Sequence, residues 1–396
     1  MSGALEGITV LDLSRVLAGP FCGMLLADFG AKVIKIEQPN KGDDSRNSPP
    51  FIDGMSSYYL NLNRNKLGIT LDLKSPEGKE IFKRLVKKAD IVIENFRPGV
   101  MDKLGLGYEK LKEINPAIVY GCVSGFGQYG PYKDRAGYDI IGQAASGLMS
   151  ITGWPDGPAT RSGTAISDVL GGMSVAIGIL TALTYAKRTG IGQMVDVSLV
   201  DSTVAGLEIM NQIYLVEGRN PTRIGNRYES LYPYDSFRCK DGEVVIGCGN
   251  NKLFGALAQY MGMPELLEDE RFCTNVRRLE NCAQLKEIIE SVFMKKCRSV
   301  LVEDLLSCGI AASPINTIEE AVNDPHIGKA REMFVDVKHP MTGSTMRITG
   351  NHIKLSETGP VIRKPAPLLG EDTADVLALC GYSDEEVSHF RDIGII

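Results

Sequence analysis

Short apolar runs alternate with helical segments through the first 200 residues, and this alternation constrains the fold more than any other feature. Strand-like runs lie at 8–13, 32–37, 68–73, 90–95, 117–124 and 193–200. Ser75 and Pro76 supply an N-cap and a first helical residue for a helix over 75–89. The alternation predicts an α/β fold with a mostly parallel sheet covered by helices. Such sheets bind ligands at the carboxyl ends of their strands.

The composition changes after about residue 220. A stretch rich in aromatic and turn residues begins there, and 252–324 is mainly helical in pattern. A chain of 396 residues also favours two domains. We therefore predict a second, smaller α+β domain over 221–324, and a last short helix near 371–380.

Charge and cysteine content exclude several classes of protein. The net charge of −6 gives no overall basic face for nucleic acid. The nine cysteines form no CxxC pair, so no metal site is expected, and free thiols indicate a reducing cytoplasm. The first residues lack the features of a signal peptide, which also favours a cytoplasmic protein.

One segment, 169–187, is long and apolar enough to span a bilayer. Almost half of its residues are Gly, Ser, Ala or Thr, which permit close packing inside a protein. We expect a buried core helix and no membrane partner.

Two common kinds of chemistry are disfavoured by what is missing. The turn after the first strand reads SRVLAGP and lacks the glycines that let a backbone approach a pyrophosphate, although Glu37 ends the second strand as a ribose-binding acid would. A nicotinamide-dependent dehydrogenase is therefore disfavoured. The first histidine is His326, so a histidine base for the sheet domain is available only from the tail.

Basic residues cluster near the predicted strand ends of the first 105 positions. This arrangement suits a phosphorylated ligand, although a solvated charged face explains it equally well. The cluster comprises Arg15, Lys41, Arg46, Arg64, Lys66, Lys74, Arg97 and Lys103.

Asp168 begins the long apolar helix, and no charged residue follows it until Lys187. Ser167 or Asp168 as a helix cap is the simplest explanation. A carboxylate at a helix N-terminus, stabilised by the dipole, is alternatively suited to nucleophilic attack. Gly171 and Gly172 would let another backbone come close.

Seven ordered segments give the chain a resemblance to the family III CoA-transferases, the CaiB/BaiF family. The resemblance runs from residue 4 to the C-terminus. The segments are LDLSRVLAGP, GAKVIKIEQP, NRNKLGITLDLKSPEG, IENFRPGV, GYD, GTAISD and KPAPLLGEDT.

The resemblance implies an activity and a nucleophile. The enzyme would move CoA from an acyl-CoA to a free short-chain or dicarboxylic acid. Asp168 would form a mixed anhydride and then an aspartyl-CoA thioester. No tightly bound cofactor is implied, since CoA and acyl-CoA are substrates.

The family's CoA contacts carry over to fifteen positions, among which Arg97 and Lys103 suit the phosphates. These positions are Leu17, Ala18, Gln38, Leu71, Asp72, Leu73, Lys74, Asn95, Phe96, Arg97, Lys103, Ala136, Gly137, Tyr138 and Asp139.

The family fold is implied as well. It has a Rossmann-like large domain built from both chain ends, here 1–220 and 325–396, and a small domain, here 221–324. Two chains interlock as a homodimer, with the active site between large and small domains. At Leu17 the formyl-CoA:oxalate enzyme of the family has glutamine, and GNRYESLYPY at 225–234 replaces its glycine run, so the acyl acceptor stays open.

Two alternatives share the CoA site. The α-methylacyl-CoA racemases need a histidine where Tyr138 stands, and tyrosine is a poor base because its ordinary pKa is about 10. A CoA-binding protein without catalysis would lack a nucleophile, but Asp168 is present. Tyr228, Tyr232 and Tyr234 either line an acyl pocket or pack the linker.

Overall fold

A computed structural model describes residues 3–396, which form two compact units. The first unit comprises the chain up to Met149 together with Arg161–Asn220 and Pro325–Ile396. The second comprises Ser150–Thr160 and Pro221–Asp324. The segment 150–160, which the sequence assigned to the large domain, thus groups with the second unit. That the units are separate domains stays a prediction.

The strands of the described chain are β1 (Thr9–Asp12), β2 (Lys32–Glu37), β3 (Phe51–Ile52), β4 (Met55–Ser56), β5 (Lys66–Thr70), β6 (Ile91–Glu94), β7 (Val119–Ser124), β8 (Met194–Ser198), β9 (Tyr234–Cys239), β10 (Gly242–Gly247), β11 (Ala311–Pro314), β12 (Phe334–Lys338) and β13 (Thr345–Thr349). Six of them form the main sheet, which is parallel and has the order β5-β2-β1-β6-β7-β8. Each of the six predicted runs contributes one strand of this sheet. The parallel α/β fold is therefore confirmed.

Helices connect and cover these strands. They are α1 (Ala18–Asp28), α2 (Ser57–Leu62), α3 (Pro76–Val86), α4 (Val100–Leu104), α5 (Tyr108–Ile114), α6 (Asp139–Ala145), α7 (Leu148–Ile151), α8 (Ile166–Thr189), α9 (Leu199–Ala205), α10 (Ile209–Glu217), α11 (Asn251–Tyr260), α12 (Asn275–Glu280), α13 (Cys282–Phe293), α14 (Arg298–Ser307), α15 (Ile318–Asn323), α16 (Thr373–Leu379) and α17 (Asp384–Asp392). Ser75 caps α3 by accepting a hydrogen bond from Gly78 N, as predicted. Helix α17 follows the helix that the sequence placed last, and its Ser383–Glu386 capping box is a signal that could have located it.

Helices pack on both faces of the sheet because successive side chains of a strand point to opposite faces. Val10 of β1 belongs to a core shared with α1 and α8. Its neighbour Leu11 belongs to a second core shared with α3, α5, α16 and α17. This two-sided burial explains why the strand runs are continuously apolar.

Helix α8 is buried on one side only. Gly172, Val175 and Ile179 are buried against α1 and the sheet, whereas Ile177 and Tyr185 are exposed. Among the described residues, α8 alone is long and apolar enough, by length and composition, to cross a membrane. The expectation of a buried core helix therefore holds for one face, and the absence of a membrane partner stays a prediction.

The second unit has its own antiparallel sheet, in the order β11-β10-β9, and its own core. Tyr232 is fully buried in that core and packs on Phe237. The rings of Tyr228 and Tyr234 lie 5.2 Å apart. Tyr232 is therefore a packing residue of this unit and not part of an open acyl pocket.

Candidate active site

A cavity of about 670 Å³ opens at the carboxyl ends of all six parallel strands. The residues that line it come from the turns after these strands and from the start of α8, although they are far apart in sequence. The structure thereby brings together, of the positions predicted from the resemblance, Leu17, Ala18, Gln38, Leu71, Asp72, Leu73, Lys74, Asn95, Phe96, Arg97, Lys103, Ala136, Gly137, Tyr138 and Asp168.

Asp139 is the one predicted contact residue that does not line this cavity. Its side chain is 8% exposed, and protein donors occupy both carboxylate oxygens. Ser167 N donates to Oδ1 at 2.9 Å, and Gln143 Nε2 donates to Oδ2 at 2.7 Å. Asp139 therefore acts as a buried hydrogen-bond acceptor for groups of the protein itself.

The basic cluster divides into two groups. Arg46, Arg64 and Lys66 form buried or largely buried ion pairs with Glu37, Asp28 and Asp12, at N–O distances of 2.7, 2.7 and 2.8 Å. These three are structural, and Lys41 pairs with Asp44. The cations left to meet a ligand in the cavity are Arg15, Lys74, Arg97 and Lys103, joined by Arg135.

Arg97, Lys74 and Lys103 have no ion pair among residues 3–396, so their charges are available to a phosphorylated ligand. Arg15 has only a long contact of 3.4 Å to the Asp44 carboxylate. Guanidinium and ammonium groups placed this way pair well with phosphate oxygens.

The turn after β1 is held rigidly against the cavity. Arg15 N donates to Asn95 Oδ1, and Asn95 Nδ2 donates back to Arg15 O, both at 2.7 Å. Val16 has a positive φ of 68°, which is strained for a β-branched residue. Its N–H donates to the Asp43 carboxylate at 3.1 Å, which holds this conformation in place.

Asp43 is itself held by Lys35, and both side chains are fully buried. Lys35 Nζ donates to Asp43 at 2.7 Å and to Ser14 O at 2.6 Å. Burial alone would raise the pKa of Asp43, but the Lys35 charge and hydrogen bonds lower it to about 2. The carboxylate therefore stays ionised and keeps the turn fixed.

Glu94 organises the next turn. Its carboxyl is 5% exposed, accepts from Phe96 N at 2.7 Å, and accepts a longer bond of 3.4 Å from Tyr120 Oη. Burial raises the pKa of Glu94 to about 7, although these two donors partly oppose the shift. The group thus titrates near neutral pH beside two predicted CoA contacts, Phe96 and Arg97.

Asp168 is the third residue of α8 and lines the cavity. The N-cap is Ala165, without a side-chain cap, so the prediction that Ser167 or Asp168 caps this helix is wrong. No described residue gives the Asp168 carboxylate a hydrogen bond or an ion pair. Burial, and then the negative charge of Asp139, raise its pKa to about 6. At pH 7 the carboxylate is ionised yet more basic than an ordinary aspartate, as a nucleophile should be.

Tyr58 is a residue of the candidate site that the sequence patterns did not single out. It lies on α2 and interacts electrostatically with Asp168, Asp43 and Asp139; burial and these three charges raise its pKa to about 12. Its neutral phenol adds a polar group near the nucleophile. The pair Tyr58–Tyr59 in the polar loop was a visible but unspecific signal.

Gly172 lets α1 and α8 meet, which confirms the expected close approach. A Cβ at this position would lie 2.6 Å from Ala18 O. Gly171 instead faces the side chain of Leu199. The contact at Gly172 sets the starts of α1 and α8 side by side, and both starts line the cavity.

The fold and the cavity together define an α/β protein with a basic ligand site at the strand ends and an unpaired carboxylate, Asp168, at one side of it. Comparison with known proteins agrees: the sequence model of CoA-transferase family III matches residues 5–373. The chain belongs to this family, as its sequence motifs predicted, and is a CoA-transferase.

Three similar proteins cover nearly the whole chain. A succinate–glutarate CoA-transferase of Agrobacterium fabrum is 41% identical over 94% of this chain and 95% of its own. An acetyl-CoA:oxalate CoA-transferase of Acetobacter aceti is 42% identical over 94% of each. The crystal structure of a CaiB/BaiF family protein from Brucella suis is 38% identical, with a TM-score of 0.84 over 96% of this chain and all of that one.

Proposed function

We propose that this enzyme transfers CoA between an acyl-CoA and a free dicarboxylic acid, with Asp168 as nucleophile. One observation supports this assignment most directly. The Asp168 carboxylate, which no described residue neutralises, lines the cavity that also holds the predicted CoA contacts.

The proposed reaction exchanges carboxylates in two symmetrical halves. An Asp168 oxygen attacks the thioester carbonyl carbon, the C–S bond breaks, and the CoA thiolate leaves a mixed anhydride behind. The thiolate then attacks the Asp168 carbonyl carbon, which releases the donor acid and leaves an aspartyl-CoA thioester. The acceptor carboxylate repeats both steps in reverse, departs as acyl-CoA, and frees Asp168.

In this scheme the thioester bond energy passes from acid to acid, and water must be kept out because it would hydrolyse the anhydride. The partial burial of Asp168 favours such exclusion. Backbone N–H groups in the turns around the cavity are suited to stabilise the oxyanions that develop.

We assign CoA to the fourteen predicted positions that line the cavity. Arg97, Lys74 and Lys103 would bind its phosphates, since their charges are unpaired in the described chain. The apolar surfaces of Phe96 and of the turn at Leu71 would pack against the flat base of CoA.

A dicarboxylic acceptor is proposed from the relatives' names. Succinate and glutarate occur in one and oxalate in the other.

Assembly and location are also proposals. An interlocked homodimer would cover the exposed apolar side of α8, where Ile177 is 66% exposed, and Leu215 and Val216 of α10, which are 71% and 79% exposed. A cytoplasmic location is supported by nine free cysteine thiols.

The decisive experiment is mass spectrometry of the protein after mixing with succinyl-CoA or glutaryl-CoA in deuterated water. We expect an acyl or CoA adduct on the peptide that contains Asp168, and CoA transfer when the other acid is added. Asp168→Ala should lose the adduct and at least about 10³-fold in turnover, since loss of a nucleophile costs that much or more.

Asp375→Ala is a matched control, because Asp375 also lies in the first turn of a helix but is exposed. It should keep both the adduct and the turnover. Deuterium at the substrate α-carbon without any adduct would support the racemase alternative. CoA binding with neither signal would leave a non-catalytic binding protein.

A further inference from the structure

Helix α6 carries two buried polar residues, Asp139 and Gln143, one turn apart. Gln143 is fully buried, and Asp139 is 8% exposed. Gln143 Nε2 donates to Asp139 Oδ2 at 2.7 Å. Burying two polar side chains is costly unless each finds partners, so the partners indicate what the pair is for.

The other partners of these two side chains among the described residues lie in the segment 162–167, which ends in the first turn of α8. Gln143 Oε1 accepts from Ser162 N at 2.8 Å, and Gln143 Nε2 has a longer contact of 3.3 Å to Thr164 O. Asp139 Oδ1 accepts from Ser167 N at 2.9 Å. Three points of the segment 162–167 are thus tied to α6.

These bonds replace a helix cap. The N-terminal N–H groups of a helix need acceptors, and α8 has no side-chain cap of its own. Asp139 satisfies the N–H of Ser167, the residue directly before Asp168. The position and direction of the first turn of α8 are therefore set from α6.

Close packing makes this connection stiff. A Cβ on Gly142 of α6 would lie 3.0 Å from the Ser167 side chain. Ser167 is fully buried and its hydroxyl bonds to Thr203 of α9 at 2.8 Å. The first turn of α8 is held between α6 and α9, while the neighbouring Asp168 side chain receives no hydrogen bond from any described residue.

We propose that Gln143, acting through Asp139 and Ser162, is a positioning residue for Asp168. It holds the nucleophile at the cavity wall without itself binding the carboxylate, which stays free to attack. This inference rests on the proposed function of Asp168. It gives Asp139 a structural link to the nucleophile in place of a direct contact with CoA.

The size of the effect follows from the sensitivity of attack to geometry. Reacting atoms must approach within about 3–3.5 Å, and a misplacement of about 1 Å can cost about 100-fold in rate. Gln143→Leu keeps the side-chain volume but leaves the Asp139 oxygen and the Ser162 N–H without their partner. We expect kcat to fall about 10- to 100-fold, with KM for acyl-CoA nearly unchanged.

Gln259→Leu is the matched control, because Gln259 is an exposed helical glutamine on α11. It should leave both constants unchanged. If Gln143→Leu has the kcat of the wild type, or if its main change is a rise in the KM for acyl-CoA through weaker binding, the inference is wrong.

Gln143→Glu provides a readout that a simple loss of stability would not give. A protonated glutamic acid has one donor and one acceptor, like the amide, whereas the ionised form cannot donate to Asp139. The titratable groups nearby are Asp139 on the same helix, Asp168 on α8 and Tyr58 on α2. The turnover of Gln143→Glu relative to wild type should therefore rise as the pH falls from 8 to 6.

Comparison at each pH divides out the part of the Asp168 titration that the two proteins share, and a constant ratio would overturn the inference even if Gln143→Leu failed to fold. The aspartyl adduct separates the two hypotheses. No adduct on wild-type Asp168 would refute the proposed function. An adduct that forms equally fast in wild type and Gln143→Leu would refute only the role of Gln143.

Discussion

Buried carboxylates occur in two regions of the larger unit, and the two regions treat them differently. Around β1, β2 and β5, they pair with buried cations: Asp12 with Lys66 at 2.8 Å, and Asp43 with Lys35 at 2.7 Å. Burial opposes ionisation of Asp12, but the charges of Lys66 and Lys35 lower its pKa overall. Both carboxylates therefore stay ionised at neutral pH.

Around the carboxyl end of β6 and the starts of α6 and α8, three carboxylates, Glu94, Asp139 and Asp168, have no cationic partner in the described chain. Glu94 and Asp139 accept only from N–H, O–H and amide groups, and Asp168 accepts from none. The pKa of Asp168 is raised to about 6 and that of Glu94 to about 7.

The difference shows how one fold separates scaffold from chemistry. In the paired region the charged side chains fix the backbone, as Asp43 does by accepting a hydrogen bond from Val16 N. The unpaired region holds two carboxyl groups, Glu94 and Asp168, at pKa values of about 7 and about 6, where small changes alter reactivity. Three predictions test this contrast, in order of decreasing expected effect.

Lys35→Met should have the largest effect on stability. It leaves Asp43 buried without a cation, and removing one partner of a buried pair costs about 3–5 kcal/mol. Chemical denaturation at pH 7 measures this loss in the free energy of unfolding. Lys35→Met/Asp43→Asn removes the unpaired charge and should recover much of it. If the single variant is as stable as wild type, the pair does not hold the turn.

Glu94→Gln should change stability in a pH-dependent way. The pKa of Glu94 is near 4.5 when unfolded and about 7 when folded. Wild-type stability therefore falls as the pH rises from 4.5 to 7, because only the unfolded state loses the proton there. The glutamine mimics the protonated acid, so the variant should match wild type near pH 4.5 and exceed its free energy of unfolding by up to about 3 kcal/mol above pH 7.

Urea denaturation of both proteins at pH 5 and pH 8 gives the two differences directly. Glu287→Gln, at an exposed position of α13, is the control and should show no pH-dependent difference. A Glu94→Gln effect of the same size at both pH values would mean that Glu94 is already ionised at pH 5.

The contrast also marks what could be predicted from sequence. The strands and the position of Asp168 followed from local patterns and family motifs. The division of the basic residues did not, because the carboxylates that neutralise Arg64 and Lys66 come from Asp28 and Asp12, remote in sequence. Gln143 gave no signal either, since its importance arises only when α6 meets the start of α8.

The smallest effect is expected from Asp139→Asn, read as a shift of the pH dependence of kcat/KM. In wild type, kcat/KM should fall about tenfold per pH unit below pH 6, where Asp168 becomes protonated. Burial is the larger cause of the raised pKa of Asp168, and Asp139 adds to it. Removing the Asp139 charge should therefore lower this pKa by a fraction of a unit, which corresponds to an interaction free energy of less than about 1 kcal/mol.

The same variant separates charge from position. A displaced Asp168 lowers the plateau of the profile at high pH, whereas a lost charge moves its acid limb to lower pH. Asparagine retains an oxygen that can accept from Ser167 N, but its amide NH2 would face the Nε2 donor of Gln143. We therefore expect a moderate fall of the plateau together with the shift of the limb. An acid limb that stays in place, or moves to higher pH, would show that burial alone sets the basicity of Asp168 and that the unpaired region acts on it only through geometry.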